Sequence, residues 1–479
     1  MPRVPRLFIV LLLTSGPLYA QTYPSESLPA ETQAAVAPAT QPAVSAETKP
    51  ETAPAPVAAA PAAAPRSWWD DNFIFKGLLR QETAVRLSSP QNFSKLKEIV
   101  KLDTKFVFSD HFKLRIGGRG WIDGVYDLTD QYPTPVVHNM RAEALLRDAY
   151  LDVLFPSINL RLGLQQIVWG EALGQFFADV VTPKDLREFF LPSFEDVRLP
   201  IWAIDAQYSF NSNGTIEIVL SPDRTVDKLA LPGADFAFRV PTTPGLETVL
   251  LPDNRPKTNF KNWNAGLRFA YLLSGWDLAA FYYTSPDHIP ALAKTGTLDP
   301  FTGAPLVLLD PIHERVHNLA ATFSKGIGQS MIARGEFVFT AHRLFNTKTP
   351  TANRGLDDKG QLRYVLGFDY DIGGHVLMNS EFQQEAIVGD TGNIADQKLR
   401  SWVFLRFTSH FLDNKLTPEL IAIVGLDRGD TMFGPRLSYN VTDDINLTWG
   451  ADVFSGPNDQ LYGQFDGQDR FFMNTEWRF

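Results

Sequence analysis

The sequence predicts an all-β protein: a transmembrane antiparallel β-barrel of about 18 strands, with 16 strands as the alternative count. Three observations lead to this fold class. Short runs alternate apolar and polar residues, the connections alternate between tight turns and long loops, and the last strand is rich in aromatic residues. Unpaired backbone groups are costly in hydrocarbon, so strands that cross a bilayer must close into a barrel.

The alternating runs are about 10 to 14 residues long, which suits the ~10 residues of tilted strand that cross a bilayer. Within 158–169, for example, Leu160 and Leu162 share one face while Arg161 and Gln165 share the other. The runs lie near 73–87, 96–109, 111–126, 143–155, 158–169, 202–210, 214–221, 260–273, 275–285, 313–325, 329–342, 361–371, 374–387, 398–409, 415–428, 431–441, 445–455 and 469–479.

Every second connection between these runs is short and rich in turn-forming residues, as at Ser274-Gly275 and Thr442-Asp-Asp444. The intervening connections are mostly long: 127–142, 170–201, 222–259, 286–312, 343–360 and 456–468. This asymmetry is typical of outer-membrane barrels, whose short turns face the periplasm. The connection near Gly429 is short where a long one is expected, and an even strand count places both ends of the barrel in the periplasm.

The last run alternates between two sets of side chains, and one set is mostly apolar and ends on an aromatic residue. It resembles the terminal signal of bacterial outer-membrane proteins that the barrel-assembly machinery recognises. We therefore expect Phe471, Met473, Trp477 and Phe479 to act as an assembly signal.

Composition excludes several classes of function. The chain of 479 residues has no cysteine, so it has neither disulfides nor a cysteine metal site. A formal net charge of −10 argues against nucleic acid as a partner. Aromatic residues reach 12%, which fits a barrel but fits a soluble β-sandwich equally well.

The N-terminal region predicts export followed by a flexible tether. Residues 1–20 place Arg3 and Arg6 before a short apolar run and small residues, the order of a secretory signal peptide. Residues 21–66 are dominated by Ala and Pro and predict a disordered periplasmic linker, with a docking arm for a periplasmic partner or the cell wall as the alternative. The barrel is then expected over 67–479.

The long connection 170–201 carries signals of a short helix. Thr182 can cap it, Pro183 suits its first position, Asp185 stands three residues after the cap, and Pro192 ends it. We expect this helix in an extracellular or lumen-folded loop.

The same segment is a candidate constriction or gating loop. If it folds into the lumen, its charges would set the field of the pore; the alternative is a cap that packs on the rim. The charges concerned are Glu171, Asp179, Asp185, Arg187, Glu188, Asp196 and Arg198.

Charges of both signs are also expected on the lumen face of the strands, where they pair with one another or tune ion selectivity. Arg115, Arg119 and Arg161 are the principal candidates. Tryptophans near strand ends, among them Trp121, Trp169 and Trp402, are interpreted as residues of the interface girdle.

One motif suggests a metal site. His313-Glu-Arg-Val-His317 matches the zinc-protease pattern, which requires a helix that brings both histidines to one face. Here the pentad opens a run that predicts a strand, on which residues four apart lie roughly 13 Å from each other. We therefore expect no metal, no cofactor and no enzymatic activity, and no nucleophile elbow or phosphate-binding loop occurs in the sequence.

Three stretches resemble a known family: Leu160-Arg-Leu-Gly-Leu-Gln-Gln-Ile-Val-Trp-Gly-Glu171, Asp179-Val-Val-Thr-Pro-Lys-Asp-Leu-Arg187 and Arg198-Leu-Pro200. They are similar to a family of proteobacterial outer-membrane β-barrel proteins that is described only as a domain of unknown function. The resemblance implies an outer-membrane location, and some family members stand beside exporters of the resistance-nodulation-division class. It implies no catalytic residues.

The sequence as a whole predicts an outer-membrane channel or transporter for small or amphipathic solutes. The alternative is a structural or lipid-handling barrel that acts with a periplasmic or export partner. The expected partners are outer-membrane lipid and the barrel-assembly machinery.

Overall fold

The computed structural model describes residues 67–479, except 241, 243–244, 254, 256–259, 300–301 and 350–353. The predicted signal peptide (1–20) and linker (21–66) lie outside the described residues. Among the described residues, no helix is both long and apolar enough to cross a bilayer.

Eighteen strands, numbered here in chain order, form one sheet in the described part of the chain. They are β1 (Phe73–Arg86), β2 (Phe93–Val107), β3 (Phe112–Asp123), β4 (Ala142–Leu154), β5 (Ile158–Gln165), β6 (Ile201–Phe210), β7 (Gly214–Ser221), β8 (Asn264–Leu273), β9 (Trp276–Pro286), β10 (Arg315–Ile327), β11 (Met331–Asn346), β12 (Leu356–Ile372), β13 (Val376–Val388), β14 (Leu399–Ser409), β15 (Leu416–Gly425), β16 (Thr431–Asn440), β17 (Ile445–Ser455) and β18 (Arg470–Arg478).

The sheet closes on itself. Each strand pairs antiparallel with the next one in the chain, and β18 returns to pair with β1, from Leu78 opposite Arg478 to Arg86 opposite Arg470. Closure leaves no strand edge, as a bilayer requires. The structure therefore confirms the predicted 18-stranded antiparallel barrel and excludes the count of 16.

The pleat of each strand separates an outer from an inner face. On β11, Phe337 and Phe339 are 40% and 39% exposed, whereas Val338 between them is fully buried. Exposed large apolar side chains recur in this way along most strands, and their alternate neighbours point inward. The sequence alternation thus predicts the two faces correctly.

Tight turns join the strands at one end of the barrel. Ser274 and Gly275, between β8 and β9, have φ angles of 51° and 79°. Two successive left-handed residues match the twist of a hairpin, and the second position is glycine, which adopts this conformation without strain. The predicted alternation of short turns with long loops is confirmed.

The long loops carry short elements. The helices are α1 (Trp68–Asn72), α2 (Val125–Leu128), α3 (Thr134–Met140) and α4 (Phe194–Val197), with 3₁₀ turns at Phe260–Asn262 and Gly463–Gln468. Short strands Glu247–Leu250, Ala291–Leu298 and Pro305–Ile312 form a small separate sheet, and Asp185–Leu186 pairs with Lys228–Leu229.

The helix predicted to begin at Pro183 does not form. Thr182 does not cap a helix; its hydroxyl donates to the carbonyl of Ile167 at 2.6 Å and accepts from the Ile167 N–H at 2.9 Å. Asp185 and Leu186 are extended and pair with another loop, and Phe189 has a φ of 55°. Tertiary pairing outweighs the local helix signals, and the short helix of this loop is α4, capped by Ser193.

Candidate functional site

The connection between β5 and β6, residues 166–200, enters the barrel; we call it the inner loop. Phe177, Val181 and Phe189 of this loop are buried in one apolar cluster with inward side chains of the wall such as Val338 and Trp402. The cluster draws on inward side chains of β6, β7, β9–β12 and β14–β17. The apolar contacts of this cluster hold the inner loop against that side of the barrel wall.

Buried carboxylates of the wall bind the backbone at the start of the inner loop. Glu336 on β11 accepts hydrogen bonds from the backbone N–H groups of Glu171, Ala172 and Ala178, the last two at 2.8 and 3.1 Å. Glu336 is 3% exposed, so these N–H groups satisfy a carboxylate that water scarcely reaches.

Glu381 on β13 completes this contact. Its two oxygens accept from the N–H groups of Leu173 and Gly174, at 2.8 and 3.1 Å. Gly174 lies so close to the wall that a Cβ there would be 2.2 Å from Nε2 of Gln383. We call the five hydrogen bonds to Glu336 and Glu381 the backbone latch.

The opposite side of the barrel carries a row of inward cations that we call the basic wall. It consists of Arg80 on β1, Lys95, Lys97 and Lys101 on β2, and Arg119 on β3. Strand alternation puts the three lysines on one face of β2, and all five cations contact acidic side chains of the inner loop.

Two carboxylates of the inner loop take most of these contacts. Glu188 pairs with Lys95 and, at 2.6 Å, with Lys97. Asp196, in α4, pairs with Arg80, Lys101 and Arg119 at 2.9, 2.7 and 2.8 Å. The two acids tie the inner loop to the wall facing the backbone latch, so the loop crosses the lumen.

The cations keep both acids ionised. Burial alone would raise the pKa of Glu188, but Lys95 and Lys97 outweigh it and hold the pKa well below its usual range. Burial acts on Asp196 in the same way, and Lys101 and Arg80, with a further contribution from Arg119, likewise hold its pKa well below normal. The loop-to-wall ion pairs therefore persist in mildly acidic conditions.

Arg187 extends the charged surface toward β4. Its guanidinium lies 2.6 Å from Asp185 and 2.5 Å from Glu143. It also lies 5.5 Å from the ring centre of Trp121, which Lys97 and Arg119 approach to 4.6 and 5.0 Å. The buried indole thus packs among three cations, an attractive arrangement for an aromatic face.

A small cavity of about 40 Å³ lies between the inner loop and the basic wall, beside the ion pairs that join them. Its lining is mostly charged and includes both signs: Glu82, Lys97, Ile99, Arg119, Trp121, Met140, Asp185, Arg187, Glu188, Pro192 and Asp196. Such a lining suits water or a small polar group better than an apolar one.

The structure brings four of the seven predicted loop charges to this cavity: Asp185, Arg187, Glu188 and Asp196. Asp179 and Arg198 instead pair with each other inside the loop at 2.8 Å. Glu171 is exposed, and its backbone takes part in the latch.

Of the predicted lumen charges, only Arg119 lines the cavity. Arg115 pairs with Asp103 and Arg161 pairs with Asp152, each at 2.7 Å, along the wall. The residues of the predicted assembly signal lie elsewhere, with exposed side chains at the end of the chain: Phe471, Met473, Trp477 and Phe479.

The girdle interpretation is wrong for three tryptophans. Trp121, Trp169 and Trp402 are at most 7% exposed and point into the barrel. Trp169 donates its indole N–H to Glu217 at 2.8 Å. A tryptophan near a strand end is expected in the girdle only if its position in the strand also directs its side chain outward, away from the lumen.

The zinc-protease pattern is not helical. His317 lies within β10, as predicted, and its Nδ1 is 2.6 Å from the Tyr282 hydroxyl on β9. His313 precedes the strand, with Nε2 2.8 Å from a carboxylate oxygen of Asp253. The two histidines therefore have separate partners.

Of the basic wall, only Arg119 was expected from the sequence as a lumen charge. Lys95, Lys97 and Lys101 recur at even spacing within one alternating run, so they had to share a face, and that signal was available. Their proximity to Glu188 and Asp196, about 90 residues later, has no local sequence signal.

Residues 88–458 match the family described as "Protein of unknown function (DUF1302)". No curated protein matches the chain. The resemblance stated from the sequence, to an outer-membrane barrel family of unknown function, is confirmed.

The fold is similar to solved outer-membrane porins. A BenF-like porin from Pseudomonas fluorescens Pf-5 aligns with a TM-score of 0.51 at 10% identity, over 85% of this chain and 99% of that chain. OccAB2 of Acinetobacter baumannii aligns with a TM-score of 0.50 at 10% identity, over 86% and 99%. At this identity the likeness concerns the fold.

Proposed function

The chain belongs to the DUF1302 family, and we propose that it is an outer-membrane channel for small polar or amphipathic solutes, narrowed by its inner loop. The porin-like fold supports a channel in the outer membrane. An 18-stranded barrel is wide enough for an aqueous passage unless loops fill it. Outer-membrane lipid and the barrel-assembly machinery are its proposed partners.

The observation that carries the proposal is the position of the cavity between the inner loop and the barrel wall. The backbone latch holds one end of the inner loop to β11 and β13, and Glu188 and Asp196 hold the other end to the basic wall. The cavity lies beside this second contact. A solute that passes here meets both charge signs within a narrow gap, which favours small polar or zwitterionic molecules over strongly charged ions.

In the proposed mechanism, fixed charges of the protein orient the solute, and no covalent bond of the solute changes. Arg119 and Arg187 can orient an anionic group of a solute, while Asp185 and Glu188 can orient a cationic group. Since each of these side chains already has an ion-pair partner, a solute exchanges partners stepwise and is not bound tightly, as conduction requires.

Single-channel recording on the purified barrel in planar bilayers tests the proposal. We expect a steady small conductance in the wild-type protein and a larger one after excision of residues 176–198. Heat-modifiable migration in gels checks that the shortened barrel is folded. A folded deletion variant whose conductance and solute uptake equal those of the wild-type protein would contradict the role of the inner loop.

A structural or lipid-handling barrel is the second candidate. It is favoured by the apolar cluster around Phe189. The ring centres of Phe454 on β17 and of Tyr462 and Phe465 in the last long loop lie within 6.2 Å of the Phe189 ring and join the inner loop to both. Absence of current from both the wild-type and the deletion barrel would favour this candidate, which would act with a periplasmic or export partner.

A further inference from the structure

Among exposed apolar residues such as Leu79, Val100 and Ile122, the outer face of β1–β4 carries polar and very small side chains where the barrel should meet lipid. Lys97 and Ile99 point inward, so Glu98 between them points outward, and it is exposed. Gln81 on β1 is its direct cross-strand neighbour. The β3 residue opposite Glu98 is Ile122; Gly120 lies one outward position further along β3, opposite Val100 on β2 and Ala144 on β4.

Glu98 lies within the apolar band. Along β2 it stands between Phe93, 49% exposed, and Leu102, 45% exposed. Among the residues that the structure describes, no hydrogen bond or ion pair to its carboxylate is found, and the Gln81 amide reaches only the carbonyl of Glu82, at 3.5 Å. A carboxylate on the lipid face of a barrel strand is unfavourable without a partner.

Gly120 is not explained by packing within its own chain. Its φ is not positive, and a Cβ there would lie 3.8 Å from the carbonyl oxygen of Glu143, which is ordinary contact. A glycine inside a strand weakens it and often marks the close approach of another backbone. Strand parity directs the open side of Gly120 outward, beside exposed Ala144.

We propose that this surface, defined by Gln81, Glu98, Gly120 and Ala144, is an interface with a second copy of the same chain. Hydrocarbon chains offer no hydrogen bonds to Glu98. A donor and an acceptor, Gln81 and Glu98, stand side by side within the surface. If a two-fold axis relates two copies, Gln81 of each copy can therefore lie opposite Glu98 of the other copy, as an isologous contact requires.

The absence of cysteine provides a direct test, because a single introduced thiol is unique in the chain. Ala144→Cys places the thiol on the proposed interface. Ala280→Cys is the matched control, since Ala280 is an exposed, outward-facing alanine on β9. Both variants are treated with an oxidant or a short bis-maleimide, in outer membranes and in nanodiscs that contain only this protein.

We expect Ala144→Cys to form a cross-linked dimer in both preparations and Ala280→Cys to remain monomeric. Adding Gly120→Leu to Ala144→Cys should reduce cross-linking at least fivefold while the folded barrel persists, because the larger side chain separates the copies. Cross-linking of Ala144→Cys no greater than that of the control, or only to a different protein identified by mass spectrometry, would overturn the proposal.

Glu98→Leu tests whether Glu98 contacts a second copy of the chain or only lipid. If a second copy satisfies the carboxylate, the leucine variant should lose dimer at a given protein-to-lipid ratio, while Glu98→Gln keeps most of it. Both variants are made in the Ala144→Cys background; if Glu98 faces only lipid, both should cross-link as Ala144→Cys alone does, and the proposal fails.

Discussion

Replacing Glu336 by Gln should loosen the inner loop. The carboxylate accepts three backbone N–H groups, and glutamine keeps one oxygen but turns an amide NH₂ toward the Ala178 N–H, 3.1 Å away in the wild-type structure. At least one charge-assisted hydrogen bond is lost, worth about 1.5–3 kcal/mol, and one buried N–H is left unsatisfied at a further ~1–3 kcal/mol. A loss of about 3 kcal/mol raises the population of the displaced loop roughly 10²-fold.

The assay is the frequency of large-conductance openings in single-channel records. Glu336→Gln should increase that frequency by about two orders of magnitude, and Glu336→Gln with Glu381→Gln should increase it further. Glu419→Gln is the matched control, because Glu419 faces inward but pairs with Arg406 on the neighbouring strand. Equal opening frequencies in the wild-type protein, the control and the folded Glu336→Gln barrel would refute the latch as the element that holds the loop.

Three further outcomes follow from the same site. Because the pKa of Glu188 is lowered, its stabilising contribution is complete above the unfolded value of about 4.3 and is lost only as pH falls through the lower folded value. The difference in conductance between the wild-type barrel and Glu188→Gln should therefore be the same at pH 7 and pH 5 and disappear only in stronger acid. Lys97→Ala removes a partner 2.6 Å from Glu188 and should shift the reversal potential in a salt gradient toward cations, by roughly twofold in permeability ratio; a shift toward anions would contradict the assigned field. Gly174→Ala meets Gln383 and should cost about 1–3 kcal/mol of stability in thermal unfolding, whereas Gly326→Ala, which meets nothing within 4 Å, should not.

Much of the barrel could be predicted because its rules are local. Lipid on one face and water or packed loop on the other impose a period of two on every strand, and turns between neighbouring strands need residues such as Gly275. Closure then follows from the cost of unpaired edges in hydrocarbon. Each of these rules can be read from a window of about ten residues.

The path of the inner loop could not be predicted in the same way. The sequence around Thr182 and Pro183 satisfies the local rules for a helix start, yet Asp185 and Leu186 pair with Lys228 and Leu229 of another loop. Local capping is worth about 1 kcal/mol, which a few tertiary hydrogen bonds exceed. A stretch of sequence that contains only the inner loop does not include Lys228 and Leu229, so it cannot reveal this pairing.

The candidate site could be predicted in part. The acids Glu188 and Asp196 were identified because they crowd into one unusual loop. Among their cationic partners Arg119 was expected on the lumen face, whereas the three lysines of β2 were overlooked on a strand that otherwise follows the barrel pattern. Identifying Lys95 and Lys97 required asking which inward side chains could neutralise the loop. Charge balance across the lumen is thus a usable signal once strand parity is assigned.

The backbone latch also has a consequence for the order of folding. Its acceptors follow the loop by about 160 to 210 residues, since Ala172 bonds to Glu336 and Leu173 to Glu381. Contacts of such high sequence separation form late, after the entropy of closing the intervening chain has been lost. The inner loop therefore takes its final position only once β11 and β13 are in place, so that a half-assembled barrel has a wide opening and narrowing of the passage coincides with the completion of folding.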